Sequence, residues 1–135
     1  DRSSGRGDGM VLAFRNALLS AYDHACAISG CSVTEVLEAA HIEPYTGDDS
    51  NNVRNGLLLR TDLHTLFDYG LLWINPSNLH VEVAPSLRAT LYGEFHDHPL
   101  RRPIDPRYAP LRRSVQLHYD RCCASLSAAQ RSSPP

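Results

Sequence analysis

Between Val36 and Gly70 the chain sets two short apolar runs around a polar loop and follows them with a capped helix, and this order constrains the fold more than any other feature. Val36 to Ile42 has strand character, and Pro44, which has no N–H to donate, halts it. The next residues, YTGDDSNNVRN, are rich in Gly, Asn, Asp and Ser, which accept turn geometries, and they predict a loop. Leu57 to Leu59 resumes as a second short strand. Thr61 or Asp62 is placed to cap a helix through Leu63, His64, Leu66 and Phe67, with Gly70 placed to end it.

The flanks extend this strand–loop–strand–helix unit. Val11, Phe14, Leu18, Ala21 and Tyr22 recur at helical spacing and predict an amphipathic first helix, followed by the compact turn CAISGC. After Gly70, LLWIN and LHVEV flank the turn residues Asn75-Pro76-Ser77-Asn78 and predict a hairpin. A proline-rich irregular stretch, HPLRRPIDPRYAP, leads to a C-terminal helix after Pro110 with Leu111, Val115, His118 and Cys122 along one face. Residues 1–9 and 129–135 lack apolar periodicity and are expected to be a disordered linker and tail, which leaves one domain over 10–128. A chain of 135 residues that is 42% hydrophobic can bury one core. The expected class is α+β.

Thirteen basic side chains stand against fifteen acidic ones, weak footing for a free-standing nucleic-acid binder, because phosphate neutralisation supplies most non-specific affinity. Target recognition is therefore expected in another module. Every basic residue is arginine, which suits bidentate phosphate contacts and equally follows from a GC-rich coding bias. No stretch approaches the roughly 20 apolar residues of a membrane span and the start has no leader-like apolar core, so a cytoplasmic setting is the default expectation. Cys26, Cys31, Cys122 and Cys123 are too sparse for a disulfide framework.

The central unit carries the chemistry. It places His41 at the end of the first strand, Asn55 just before the second, and His64 in the first turn of the helix. Hydrolysing a phosphodiester needs a base for water and a cation for the charge that develops on phosphorus-bound oxygens, and one free and one metal-bound imidazole supply both. An amide at Asn55 can tie loop to strand, although Asn-Gly is also a plain turn signal.

LEAAHIEPY followed by NGLLLRTDLHTLFDYGLLWI resembles the HNH nuclease signature, with the core of the resemblance running from about Cys26 to Ile74. The resemblance implies a ββα-metal finger with an N-terminal helix, an additional β-hairpin and a C-terminal helix. It also implies His41 as general base, Asn55 as a structural residue and His64 as ligand of a single catalytic divalent metal. Within the family the chain looks closest to HNH domains that follow a base-reading SRA-type domain in modification-dependent restriction enzymes. That would make DNA the substrate and an upstream recognition domain the partner, with a homodimer as one route to a double-strand break.

Many HNH nucleases carry an Asp before the first His as a second metal ligand, and Ala40 stands there in this chain. Glu38, on the same strand face as Ala40, is one candidate replacement, and Asp62 and Asp68 are candidates from the helix side, Asp68 four residues after His64. A His and carboxylate set accommodates Mg²⁺ or Mn²⁺, and also Co²⁺ or Ni²⁺. Cys26 and Cys31 either hold a structural Zn²⁺, as cysteine pairs do in several HNH nucleases, or pack as small apolar thiols. Arg101, Arg102, Arg107, Arg112 and Arg113 form the densest basic stretch and are candidate DNA-backbone contacts. Two other readings stand beside the restriction nuclease: a catalytically silent DNA-binding or interaction module that Ala40 would explain, and an effector nuclease of a toxin or phage-defence system.

Overall fold

The computed structural model describes residues 6–44 and 48–132. In chain order they form α1 (Arg6–Ala21), β1 (Leu37–His41), β2 (Gly56–Arg60), α2 (Thr61–Asp68), β3 (Leu72–Ile74), β4 (His80–Val83), β5 (His98–Pro99) and α3 (Arg112–Ser132), joined by short 3-10 turns. This is the expected α+β order, with one addition. β5 pairs with β4 inside the proline-rich stretch read as irregular, and its two residues are too few to show a pattern.

Both long helices run further than the apolar pattern indicated. Arg6 to Gly9 belong to α1 rather than to a linker; two poor helix formers, Gly7 and Gly9, hid this. α3 continues through residues 129–132 of the expected tail, as a formed helix adds residues cheaply. Residues 1–5 of the expected linker and 133–135 of the tail lie outside the described residues.

β1 and β2 form an antiparallel pair in which His41 faces Gly56, Ala40 faces Leu57 and Glu38 faces Leu59. Leu57, Leu58 and Leu59 are all fully buried because α1 and α2 both pack on this small sheet, which is why β2 is continuously apolar rather than alternating. Phe14 and Leu18 bring α1 so close that a Cβ on Gly56 would stand 2.6 Å from Phe14 Cζ. Gly56 is extended (φ −140°), so close approach, not backbone conformation, requires glycine there.

α2 begins without a loop after β2. Arg60 therefore takes the N-cap position with no side-chain cap, and neither Thr61 nor Asp62 occupies it. Thr61 is instead the first helical residue, its hydroxyl 3.1 Å from Val36 O and 3.2 Å from Glu38 Oε2. Gly70 ends the segment as expected, at φ +74°. α3 packs against β3 and closes the far side of α2 through His118, whose ring stacks on Phe67 at 3.8 Å.

Candidate active site

The end of β1, the outer face of α2 and the middle of α3 enclose an open groove of about 630 Å³, lined among others by His41, His64, Asp68 and Arg121. The two histidines singled out from sequence thus share one cavity wall.

His41 is held from two sides. Its Nε2 lies 2.7 Å from Asn51 Oδ1, and its ring stacks on Phe14 with centroids 4.6 Å apart. An amide oxygen only accepts, so the imidazole donates from Nε2, and a neutral ring in this tautomer keeps its lone pair on Nδ1.

Asn55 is buried and makes three hydrogen bonds with its side chain. Oδ1 accepts from Glu43 N at 2.9 Å, and Nδ2 donates to Glu43 O at 3.2 Å and Ser50 O at 3.0 Å. With Ile42 N donating to Asn55 O at 2.9 Å, this residue ties both ends of the β1–β2 loop to the start of β2. Asn55 is a loop tie, and Asn51, which meets His41, lies in the loop it fixes.

Both ring nitrogens of His64 face carboxylates: Nδ1 is 2.7 Å from Glu38 Oε1 and Nε2 is 3.1 Å from Asp68 Oδ2. Asp68 and then Glu38 push its proton affinity above the ordinary histidine range, against the opposing effect of burial. The two carboxylates remain about half exposed, at 45% and 54% of their side-chain surface, so they stay open to a solvent-borne cation.

Among the described residues, no three His, Cys, Asp or Glu side chains form a ready metal cage. The donor set at His64 nevertheless fits a catalytic cation, because hard divalent ions retain waters and need only one or two protein carboxylates beside substrate oxygens. A structural Zn²⁺ takes four protein ligands, and among the described residues no group of three His, Cys, Asp or Glu forms around Cys26 and Cys31. Cys26 is fully buried with its sulfur accepting from Ile28 N, Ser29 N and Arg60 N at 3.3–3.4 Å. Cys122, whose pKa burial pushes up to about 11, packs with Trp73.

Other candidates lie elsewhere. Asp62 is committed to Arg60 at 2.7 Å and to the Tyr92 hydroxyl at 2.7 Å, and is not part of the groove lining. None of the five expected DNA-contact arginines lines it either. Arg101 donates to Cys26 O, Arg107 pairs with Asp105, Arg112 donates to Pro76 O, and Arg113 lies 4.0 Å from Glu43. Sequence reasoning missed Phe14 as a partner of His41, Asn51, and Arg121. Asn51 sat in a run of turn residues, and Arg121 follows His118 by three on the helical face already read as apolar.

Residues 26–75 match the family model for HNH endonuclease. This segment belongs to the HNH endonuclease family. The HNH segment starts at the Cys26 turn and contains β1, β2, α2 and β3, and with them His41, Asn55 and His64. A solved structure described as a modification dependent TagI restriction endonuclease is similar over 78% of this chain and 35% of its own, with a TM-score of 0.59 and 23% identity. The similarity extends the shared fold beyond the HNH segment, and the chain spans little more than a third of that protein. No curated protein matches the chain. Among the described residues no helix is long and apolar enough to cross a membrane.

Proposed function

We propose that residues 10–128 are a metal-dependent DNA cleavage domain, the HNH module of a modification-dependent restriction enzyme whose recognition domain lies upstream in the same full-length chain. The observation that carries this reading is that His41 and His64, brought together from β1 and α2, line one groove. The modification-dependent neighbour and a charge balance of −2 support a separate recognition module. A cytoplasmic location and dimerisation for cutting both strands belong to the same proposal.

In this mechanism His41 Nδ1 takes the proton of the attacking water while Nε2 keeps its own on Asn51. Phe14 and Asn51 hold the ring, so no reorientation is needed as charge develops on it. Asn55 fixes the loop that carries Asn51. His64, with Asp68 or Glu38, would hold a divalent cation such as Mg²⁺ or Mn²⁺. Bound there, such an ion supplies charge stabilisation at the phosphorus-bound oxygens.

Plasmid nicking at low salt with Mg²⁺, Mn²⁺, Co²⁺, Ni²⁺ or EDTA tests the reading. Metal-dependent nicking that is lost in His41→Ala supports it. Equal nicking by His41→Ala removes the base assignment, and inactivity with every metal favours the silent-module reading, which the buried Ala40 in place of a carboxylate motivates.

A further inference from the structure

We infer that Arg121 is a phosphate-binding residue of this groove, contacting a backbone phosphodiester of the DNA beside His41. The inference deepens the nuclease reading and rests on it for the identity of the ligand.

Arg121 reaches the groove from α3, some eighty positions after His41, on the helical face that also presents His118, Cys122 and Ser125. These residues fall at i, i+3, i+4 and i+7, the spacing of one stripe on an α-helix. The guanidinium is anchored where the chemistry is expected: Nη2 donates to Ile42 O at 3.2 Å, and Ile42 directly follows His41. That bond uses one of five N–H donors. Among the described residues Arg121 has no ion-pair partner, whereas Arg60 and Arg107 are each satisfied by an aspartate.

The charge inventory of the groove makes the same point. Asp68 contributes negative charge, and His41, His64 and His118 are titratable. Among the described residues lining the groove, Arg121 alone is a permanent cation. A phosphodiester entering beside His41 meets a carboxylate and needs compensating positive charge. Arg121 supplies it in a fork that matches two phosphate oxygens. The five arginines of the dense basic stretch do not line this groove, so they do not substitute for it.

The test separates binding from cleavage. Fluorescence anisotropy of a labelled duplex, titrated in EDTA over a salt series, compares the unaltered protein with Arg121→Gln, Arg121→Lys and Arg88→Gln. Arg88 is the control because its Nε also donates to a backbone carbonyl, Val83 O at 2.8 Å, outside the groove. We expect Arg121→Gln to weaken binding about tenfold on any duplex sequence and to lower the salt slope by about one. Arg121→Lys, which keeps the charge, recovers the slope and part of the affinity, and Arg88→Gln changes neither.

Unchanged affinity and slope in Arg121→Gln overturn the inference, as does an equal loss in Arg88→Gln or a failure of the unaltered protein to bind duplex at low salt. Thermal melting of Arg121→Gln and Arg121→Lys identifies a folding defect, and a slope lost equally in a folded Arg121→Lys also counts against the inference. Failure of the nuclease reading looks different: Arg121-dependent binding then persists in EDTA while no metal supports nicking.

Discussion

Phe14 and His41 lie face to face, ring centroids 4.6 Å apart and planes 23° from parallel, so the first helix supports the proposed base directly. The same Phe14 ring fills the space beside Gly56, the residue paired with His41 across the two-stranded sheet. One aromatic side chain thus couples the docking of α1, the absence of a side chain at position 56 and the placement of the imidazole.

Gly56→Ala tests that coupling. The added Cβ would meet Phe14 Cζ at 2.6 Å and Leu18 Cδ1 at 2.9 Å, so these side chains or α1 itself must give way, at a cost of about 1–3 kcal/mol. Urea unfolding should show this loss, and nicking should fall with it. Phe14→Leu vacates the space, so the double variant Gly56→Ala with Phe14→Leu should be more stable than the two single losses added together. Strict additivity would mean that Phe14 does not occupy the disputed space in solution.

Asn51→Asp probes the hold on the base. It places a carboxylate 2.7 Å from His41 Nε2, and a negative charge at that distance favours the imidazolium. The acid limb of the nicking rate should move to higher pH while the alkaline plateau is largely kept, because Asp still accepts from Nε2. Asn51→Leu, which cannot accept, should lower the plateau itself. A pH–rate profile unchanged in both variants would remove Asn51 from the mechanism.

These contacts mark the boundary of what the sequence discloses. The strand–loop–strand–helix order and the positions of His41, Asn55 and His64 were legible because they depend on neighbours in the chain: a turn-rich loop, an unbroken leucine run and a terminating Gly70. Glu38 was legible as a candidate from strand alternation, and it does meet His64. Asp62 looked equally available, yet Tyr92, thirty residues later, helps to engage it. Arg121 reaches the groove and Phe14 reaches the His41 ring from helices at opposite ends of the chain, and helical periodicity reports which face is buried without reporting what it is buried against.

With His64 as the proposed metal ligand, the proton and the metal ion would compete for the same ring. Asp68 is the larger of the two influences that raise its proton affinity, and a ligating imidazole must be neutral. Mn²⁺ affinity, followed by calorimetry across a pH series, should therefore rise with pH until His64 is deprotonated. Asp68→Asn should move that rise to lower pH and, where Asp68 is itself a ligand, reduce the affinity reached at high pH. A pH-independent Mn²⁺ affinity in the unaltered protein would place the metal away from His64.

His118 supplies a pH dependence of stability with a definite sign. Burial, the largest influence, lowers its pKa from the ordinary 6.5, outweighing the hydrogen bond to Phe67 O at 3.1 Å. Above 6.5 both folded and unfolded chains carry a neutral ring, and the stability contribution is complete. As pH falls below that value the unfolded chain takes up the proton first, and stability declines by at most about 1.4 kcal/mol per pH unit until the folded pKa is reached. His64, with its raised pKa, acts in the opposite direction, contributing at low pH and losing that contribution as pH rises through its folded value. The difference in unfolding free energy between the unaltered protein and His118→Phe, measured by urea at several pH values, cancels the other groups to first order. The variant loses the bond to Phe67 O and so starts lower, but the gap should narrow on acidification because only the unaltered chain has this buried ring to protonate. A gap that widens towards acid would mean that the folded protein holds His118 in its charged form.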